Sequence, residues 1–325
     1  MLNWLVIGVG DITSKRVLPA ILAEERCRLV GIVTRDPAKV APYRIPAYTT
    51  LEAALRESEA EAVYVASPVF LHAPQSIAAL ETGRHVLCEK PMAMNLAEAE
   101  RMVAAGRASG RAFGVAYYRR AYPKVHRVME LIRQGAIGQP VLAWATCHGG
   151  LVTTDSQRAW LLDPAKAGGG PLYDIASHRI DLLNFLFGEP ARAAGQLSNA
   201  IHPLAVEDSA TVMIEYKNKV RAIVDVRWHS RIERDEFRVI GTEGEMDLTP
   251  LNGPALVYPS GRESLPAHSN VHLPCVRNFV DAVLDGASLL SSGDTALWTD
   301  WVTAEAVATH RAGRKPKNVL AEGQG

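Results

Sequence analysis

Cysteine is scarce in this chain. Four residues in 325, Cys27, Cys88, Cys147 and Cys275, include no CxxC pair. That excludes a disulfide framework or a cysteine zinc site and points to buried thiols in a reducing compartment. An excess of one charge is missing too. The 35 Lys and Arg balance 35 Asp and Glu, so the bulk charge favours neither nucleic acid nor an anionic membrane as a partner. No apolar run is long enough to span a bilayer. The opening residues, MLNWLVIGVG, lack the basic segment and long apolar core of a secretory leader. Repeats and low-complexity linkers are absent. What is present is a globular mixture, 48% hydrophobic and 22% charged, in a chain long enough for two domains. A cytoplasmic enzyme or binding protein is expected.

The first part alternates short apolar runs with helical patterns. Strands are expected at 4–10, 27–35, 60–68, 85–91 and 112–118. Helices are expected at 12–25, 50–57, 72–83 and 95–110, with Thr49 or Thr50 capping the second and Gly83 closing the third. Such alternation builds βαβ units on a parallel sheet, and continuously apolar strands fit a sheet covered on both faces. After residue 120 the rhythm changes. A helix over 122–135 leads into longer runs at 140–149, 207–218, 220–230 and 236–248. Several alternate polar with apolar, as in TVMIEY and RAIVDVRW, which predicts an antiparallel sheet with one covered face. Helices at 171–187, 273–286 and 296–311 precede a polar tail at 313–325.

Three stretches carry chemistry. GVGDIT, residues 8–13, follows the first strand and opens a helix. Gly8 and Gly10 would let the backbone approach a pyrophosphate at a helix N-terminus, although Thr13 stands where the fingerprint has its third glycine. The second strand ends in Thr34-Arg35, where enzymes selective for NAD place an acid for the ribose hydroxyl. A hydroxyl plus a guanidinium suits a 2′-phosphate, so NADP is favoured over NAD; the bland alternative is a solvated turn arginine, and Asp36 comes two positions late. The fourth strand, HVLC, runs out into Glu89-Lys90-Pro91. Either this is an ordinary strand end, or Lys90 is held at the carboxyl edge where open α/β sheets bind ligands. In AGGGPLYDIASHRIDLLNFLFG, residues 167–188, Asp174 and His178 are four apart on one helix face, with Asp181 nearby. An acid one turn from a histidine can orient it; a solvated stripe is the equal alternative. Metal binding by Asp174, His178 and His148 lacks any ligand spacing, and no metal is expected.

In this order, the GxG turn, EKP and GGGxLxDxxxHxxDxLxxLxG resemble the Gfo/Idh/MocA oxidoreductases, as do YRRAYP at 118–123, LIRQGAIGQP at 131–140 and GTEGEMDL at 241–248. The resemblance spans almost the whole chain. It implies an α/β fold, with an N-terminal Rossmann parallel sheet over 1–119 and a C-terminal α+β domain with a large, mostly antiparallel sheet over 120–325. It implies hydride transfer between NAD(P) and a hydroxyl or carbonyl carbon of a sugar, cyclitol or related polyol. Lys90 is then expected beside the nicotinamide and the reacting oxygen, with Asp174 as the site aspartate and His178 as general acid/base. Cofactor contacts are expected from Gly8, Gly10, Asp11, Ile12, Thr34, Arg35, Ser67, Pro68, His72, Glu89 and Lys90. Substrate contacts are expected from Lys90, Arg119, Trp160, Asp174 and His178, with Arg120 an alternative to Arg119 and specificity loops near 150–165 and 230–235. Val69 and Ala176 depart from the family's usual Asn and Gly. The competing class is a dinucleotide-bound regulator without turnover. Assembly as a homodimer or homotetramer through the second sheet is expected.

Overall fold

A computed structural model describes residues 1–151 and 156–313 of the chain. The expected tail beyond Gly313 and part of the 150–165 loop lie outside the described residues. The first sheet holds β1 (Leu2–Ile7), β2 (Cys27–Val33), β3 (Ala47–Tyr48), β4 (Ala62–Val65), β5 (His85–Cys88) and β6 (Phe113–Val115). All neighbours are parallel, in the order β3-β2-β1-β4-β5-β6, the arrangement of a dinucleotide-binding sheet. The unbroken apolar strands have the expected cause. In β1, Leu5 and Ile7 enter the core on one face while Trp4 and Val6 enter the core on the other. Thr50 caps the helix Leu51–Glu57, accepting from Ala53 N–H at 3.2 Å, which settles the choice between the two threonines.

The second sheet holds β7 (Pro140–Gly150), β8 (Pro190–Ser198), β9 (Ser209–Tyr216), β10 (Arg221–Arg227), β11 (His229–Gly241), β12 (Glu245–Asp247), β13 (Ala255–Tyr258) and β14 (Gly261–Ser264). Its order is β14-β13-β12-β11-β7-β10-β9-β8, antiparallel except where β10 lies parallel to β7. The alternating strands behave as expected: Val212 and Ile214 of β9 and Val224 and Val226 of β10 face a core closed by the helices Pro123–Arg133 and Ser177–Phe187. The run at 236–248 is a hairpin and not one strand, because Gly241 N–H turns back to Gly244 O at 2.8 Å. Strand β8, PARAAGQLS, has no strand-like pattern. It forms because β9 pairs with it and the helix Gly293–Gly313 packs on it, with Gly195 so close to Ala306 that a Cβ would fall 2.6 Å from the Ala306 Cβ.

The chain then returns to the first sheet. Val276, Phe279 and Val280 of the helix Leu273–Asp285 pack with Trp4, Leu18 and Ile21, and Val115 N–H donates to Ser291 O at 3.0 Å. The two lobes are thereby braced against each other beside the carboxyl edge of the parallel sheet.

Candidate active site

The switch point of the first sheet lies between β1 and β4, whose connections run to opposite sides. Gly8 has φ of +89°, and a Cβ there would fall 2.7 Å from Ala66 O in the turn after β4. Only glycine lets these turns approach so closely. Gly10 is exposed, and a Cβ on it would meet nothing within 4 Å. Asp11 pairs with Lys15 at the surface, and Ile12, 42% exposed, leaves an apolar side chain on the first helical turn. The helix is wound wide over Thr13–Val17, and Thr13 is buried with its hydroxyl unpartnered. These features form an open cradle that fits a dinucleotide.

At the end of β2, Thr34 Oγ1 accepts from Asp36 N–H at 3.1 Å, and Asp36 Oδ1 caps Ala38 N–H at 3.2 Å. The Asp36 carboxylate is committed locally, while Arg35 is exposed and makes no ion pair among the described residues. Past β4, Ser67 Oγ donates to Gln75 Oε1 at 2.6 Å, and Pro68 opens the turn Val69–Leu71. His72 is buried beneath this turn. Its Nε2 is 2.8 Å from Ser67 O and its Nδ1 2.9 Å from Pro91 O, so it bridges the turns after β4 and β5. Burial depresses its pKa despite those carbonyls. A neutral ring has one N–H and donates to one carbonyl of the two.

Beyond β5 the strand end divides its two charges. Glu89 turns inward: Oε1 accepts from Tyr64 OH at 2.8 Å and faces His272 Nε2 at 3.2 Å, while Oε2 accepts from Lys90 N–H at 3.2 Å. Burial would raise its pKa, but His272, Tyr64 and Lys90 hold it below the usual carboxylate range. Lys90 turns outward to the other lobe. Its Nζ donates to Asp174 Oδ1 at 3.0 Å and to Asp174 O at 2.9 Å.

Asp174 sits on a wide turn, Leu172–Ala176, that opens the helix Ser177–Phe187. The expected plain helix over this stretch is therefore wound wider at its start, so Asp174 and His178 are not spaced as on an ordinary α-helix. The preceding glycines pack under Glu207, since a Cβ on Gly170 would fall 2.0 Å from Glu207 O, and Glu207 Oε1 caps Leu172 N–H at 3.0 Å. His178 is 6% exposed, with Nδ1 enclosed and unpartnered. Burial first, then the charges of Arg119, Lys90, Arg179 and His272, hold its pKa well below the usual imidazole range. The ring of Tyr118 lies against it at a centroid distance of 5.3 Å.

The adjacent arginines diverge. Arg120 points into the protein, with Nη2 2.5 Å from Asp181 Oδ1 and Nη1 donating to Leu290 O and Thr295 Oγ1. Asp181 therefore belongs to a buried ion pair and not to a His/Asp stripe. Arg119 lies over Tyr118 and donates through Nε to Asn252 Oδ1 at 3.2 Å. Trp160 packs in a small cluster with Leu161, Val206 and Trp228. His148 is engaged by Asp225 at 2.6 Å, and among the described residues no group of His, Cys, Asp and Glu is arranged to hold a metal. Sequence reasoning gave no role to Tyr118, Arg179, Asn252 or His272, and placed Asp235 only within a specificity loop; Tyr118 and Arg179 lie inside quoted motifs without being singled out, and Asn252 and His272 lie in none.

A parallel sheet of this order, an open glycine cradle at its switch point and a lysine–aspartate bond across the edge fit a two-lobed oxidoreductase of the dinucleotide-binding class. Residues 2–117 match the model described as an oxidoreductase family NAD-binding Rossmann fold, and residues 125–247 match the GFO/IDH/MocA C-terminal domain. The chain is 32% identical to Oxidoreductase P35 of Formosa agariphila, over 76% of this chain and 79% of that protein. It is 28% identical to 1,5-anhydro-D-fructose reductase of Ensifer adhaerens, over 96% of this chain and 98% of that protein. A crystal structure of aldose-aldose oxidoreductase from Caulobacter crescentus superposes with a TM-score of 0.86 at 25% identity, covering 96% and 98% of the two chains. The chain belongs to the Gfo/Idh/MocA oxidoreductase family and binds NAD(P) through its first sheet.

Proposed function

We propose that this enzyme moves a hydride between NAD(P) and a hydroxyl or carbonyl carbon of a sugar, cyclitol or related polyol. The dinucleotide lobe is built on residues 1–119, and residues 120–325 supply the substrate lobe and the helices that brace the two. The observation that carries the reading is the hydrogen bond from Lys90 Nζ to Asp174 Oδ1, which brings the first lobe's ammonium to the helix bearing His178. When bound, the nicotinamide supplies the hydride acceptor or donor. His178 takes the hydroxyl proton in oxidation and returns it in reduction, through Nε2, because Nδ1 is enclosed. Its neutral resting state suits proton acceptance. Lys90 stabilises charge growing on the substrate oxygen, and Asp174 holds Lys90 in place. Incubating the protein with NAD(P) and a panel of sugars and polyols, and following reduced-nicotinamide absorbance, tests the reading. Cofactor binding with no absorbance change across a broad panel would count against it.

For the cofactor we favour NADP. The exposed Arg35 and the locally committed Asp36 support a 2′-phosphate over a bare ribose. Arg35→Ala is expected to weaken NADPH binding by at least about tenfold, with NADH much less affected, in fluorescence titrations. Equal losses for both cofactors would remove Arg35 from phosphate recognition.

Homodimer or homotetramer assembly through the open face of the second sheet is supported by a stripe across three adjacent strands. Trp144, 39% exposed, Ile223 and Met213, 59% exposed, stand side by side in register. Light scattering should return a multiple of the chain mass; a monomer mass rejects this. The four cysteines are free thiols, buried or half-buried, which supports a cytoplasmic setting. Among the described residues no helix is long and apolar enough to cross a membrane.

A further inference from the structure

Around His178, the buried Arg119 meets no carboxylate among the described residues. Arg119 is 8% exposed. Among the described residues its one hydrogen bond goes to the Asn252 amide oxygen, no carboxylate meets it, and Nη1 is enclosed without a partner. The neighbouring cations are already matched. Lys90 has Asp174, Arg120 has Asp181, and Arg179 has Asp235 at 2.8 Å. Asn252 links Arg119 to that last pair, since its Nδ2 donates to Asp235 Oδ2 at 3.0 Å. The chain Arg119–Asn252–Asp235–Arg179 thus holds two guanidiniums and one carboxylate. Lys124, bonded to Leu248 O and Pro250 O, is buried nearby, and burial pulls its pKa down to about 8 despite the charge of Asp235. An enclosed guanidinium without a counter-ion is costly, and an arriving anion would offset that cost.

Position makes the arriving anion part of the substrate. Arg119 and His178 lie against the same phenol ring: the guanidinium is 4.9 Å and the imidazole 5.3 Å from the centroid of Tyr118. A ligand of sugar size seated against Tyr118 would meet both. After burial, the charge of Arg119 is the largest influence on the His178 imidazole, in keeping with their contact with one ring. We propose that the substrate is an acidic sugar or polyol acid, of the hexuronate or aldonate class, and that Arg119 receives its carboxylate. A planar guanidinium matches a carboxylate through paired N–H donors, which a neutral hydroxyl cannot use fully. This rests on the reading of Lys90, Asp174 and His178 as the reacting set. It goes further by assigning the charge of the molecule they act on.

The test compares matched pairs with NADP+ and NAD+: D-glucose with D-glucuronate, D-galactose with D-galacturonate, and D-glucitol with D-gluconate. The acid of at least one pair should exceed its neutral partner in kcat/KM by about tenfold or more. Arg119→Gln should cut that acid-to-neutral ratio by about 10- to 100-fold, and Arg119→Lys, a charge without the fork, should restore part of it. The cofactor is the other source of an anion, so NADPH affinity is measured on the same variants. A fall in NADPH affinity with an unaltered ratio overturns the proposal, as does a wild-type preference for the neutral member of every pair. If the protein binds NADPH but turns over only neutral members, the acidic-substrate inference falls and the hydride-transfer reading stands. If nothing is turned over and no NAD(P)H binds, both fall.

Discussion

Replacing His178 by alanine should lower turnover by about 100-fold or more while NAD(P) still binds, the usual scale for a lost general acid/base. The side chain is carried by the second lobe and the glycine cradle by the first, so cofactor affinity is read separately from rate. The pH dependence makes the assignment sharper. Burial and the nearby cations favour the neutral imidazole in the folded protein. The acidic limb of kcat/KM for alcohol oxidation should therefore lie below about pH 6.5, the ordinary imidazole value, and should vanish in the alanine variant. The same shift acts on stability. Below about pH 6.5 the unfolded chain takes up this proton before the folded chain does, so the contribution of His178 to stability erodes as the pH falls toward its lower folded value. Near-normal turnover in the variant, or a wild-type limb at or above the ordinary imidazole value, would remove His178 from proton transfer.

The largest stability effect is expected one turn further along the same helix. Asp181→Ala should cost about 3–5 kcal/mol, because it leaves the Arg120 guanidinium buried and unpaired. Arg120 also ties Leu290 O and Thr295 Oγ1 to this point, so the segment returning to the first sheet loosens with it. Urea unfolding of the cofactor-free protein reads the loss. The double replacement Asp181→Leu with Arg120→Met should recover most of it, since an apolar pair of similar size often replaces a buried ion pair at little cost. Failure of the single variant to lose stability would show that the pair contributes little. Loss without recovery in the double variant would show that packing at Leu290 and Thr295, and not charge burial, holds the segment.

Much of the fold was legible before any coordinates, and particular residues say why. The run WLVI is a strand by its own side chains, and Thr50 and Gly83 mark their helix ends by chemistry confined to one turn. The glycine turn at Gly8 and the Glu89-Lys90-Pro91 exit are local features as well. Other elements were hidden because their causes are distant. Strand β8 has no pattern of its own and exists through β9 and Ala306. The hairpin at Gly241–Gly244 interrupts a run that reads as continuous. The wide turn at Leu172–Ala176 follows glycines packed under Glu207 and is invisible to a count of residues per turn.

The site divides in the same way. Sequence alone determined the parallel and antiparallel parts of the fold, because periodicity and turn residues depend on near neighbours, while the roles expected of Lys90, Asp174 and His178 came with the family resemblance. Tertiary structure alone decided which charges meet. Lys90 reaches Asp174 across 84 residues. Of two adjacent arginines, one is neutralised by Asp181 and the other is left beside His178. Electrostatic pairing and burial act through space, and the distances that set them are fixed only when both lobes are folded against each other.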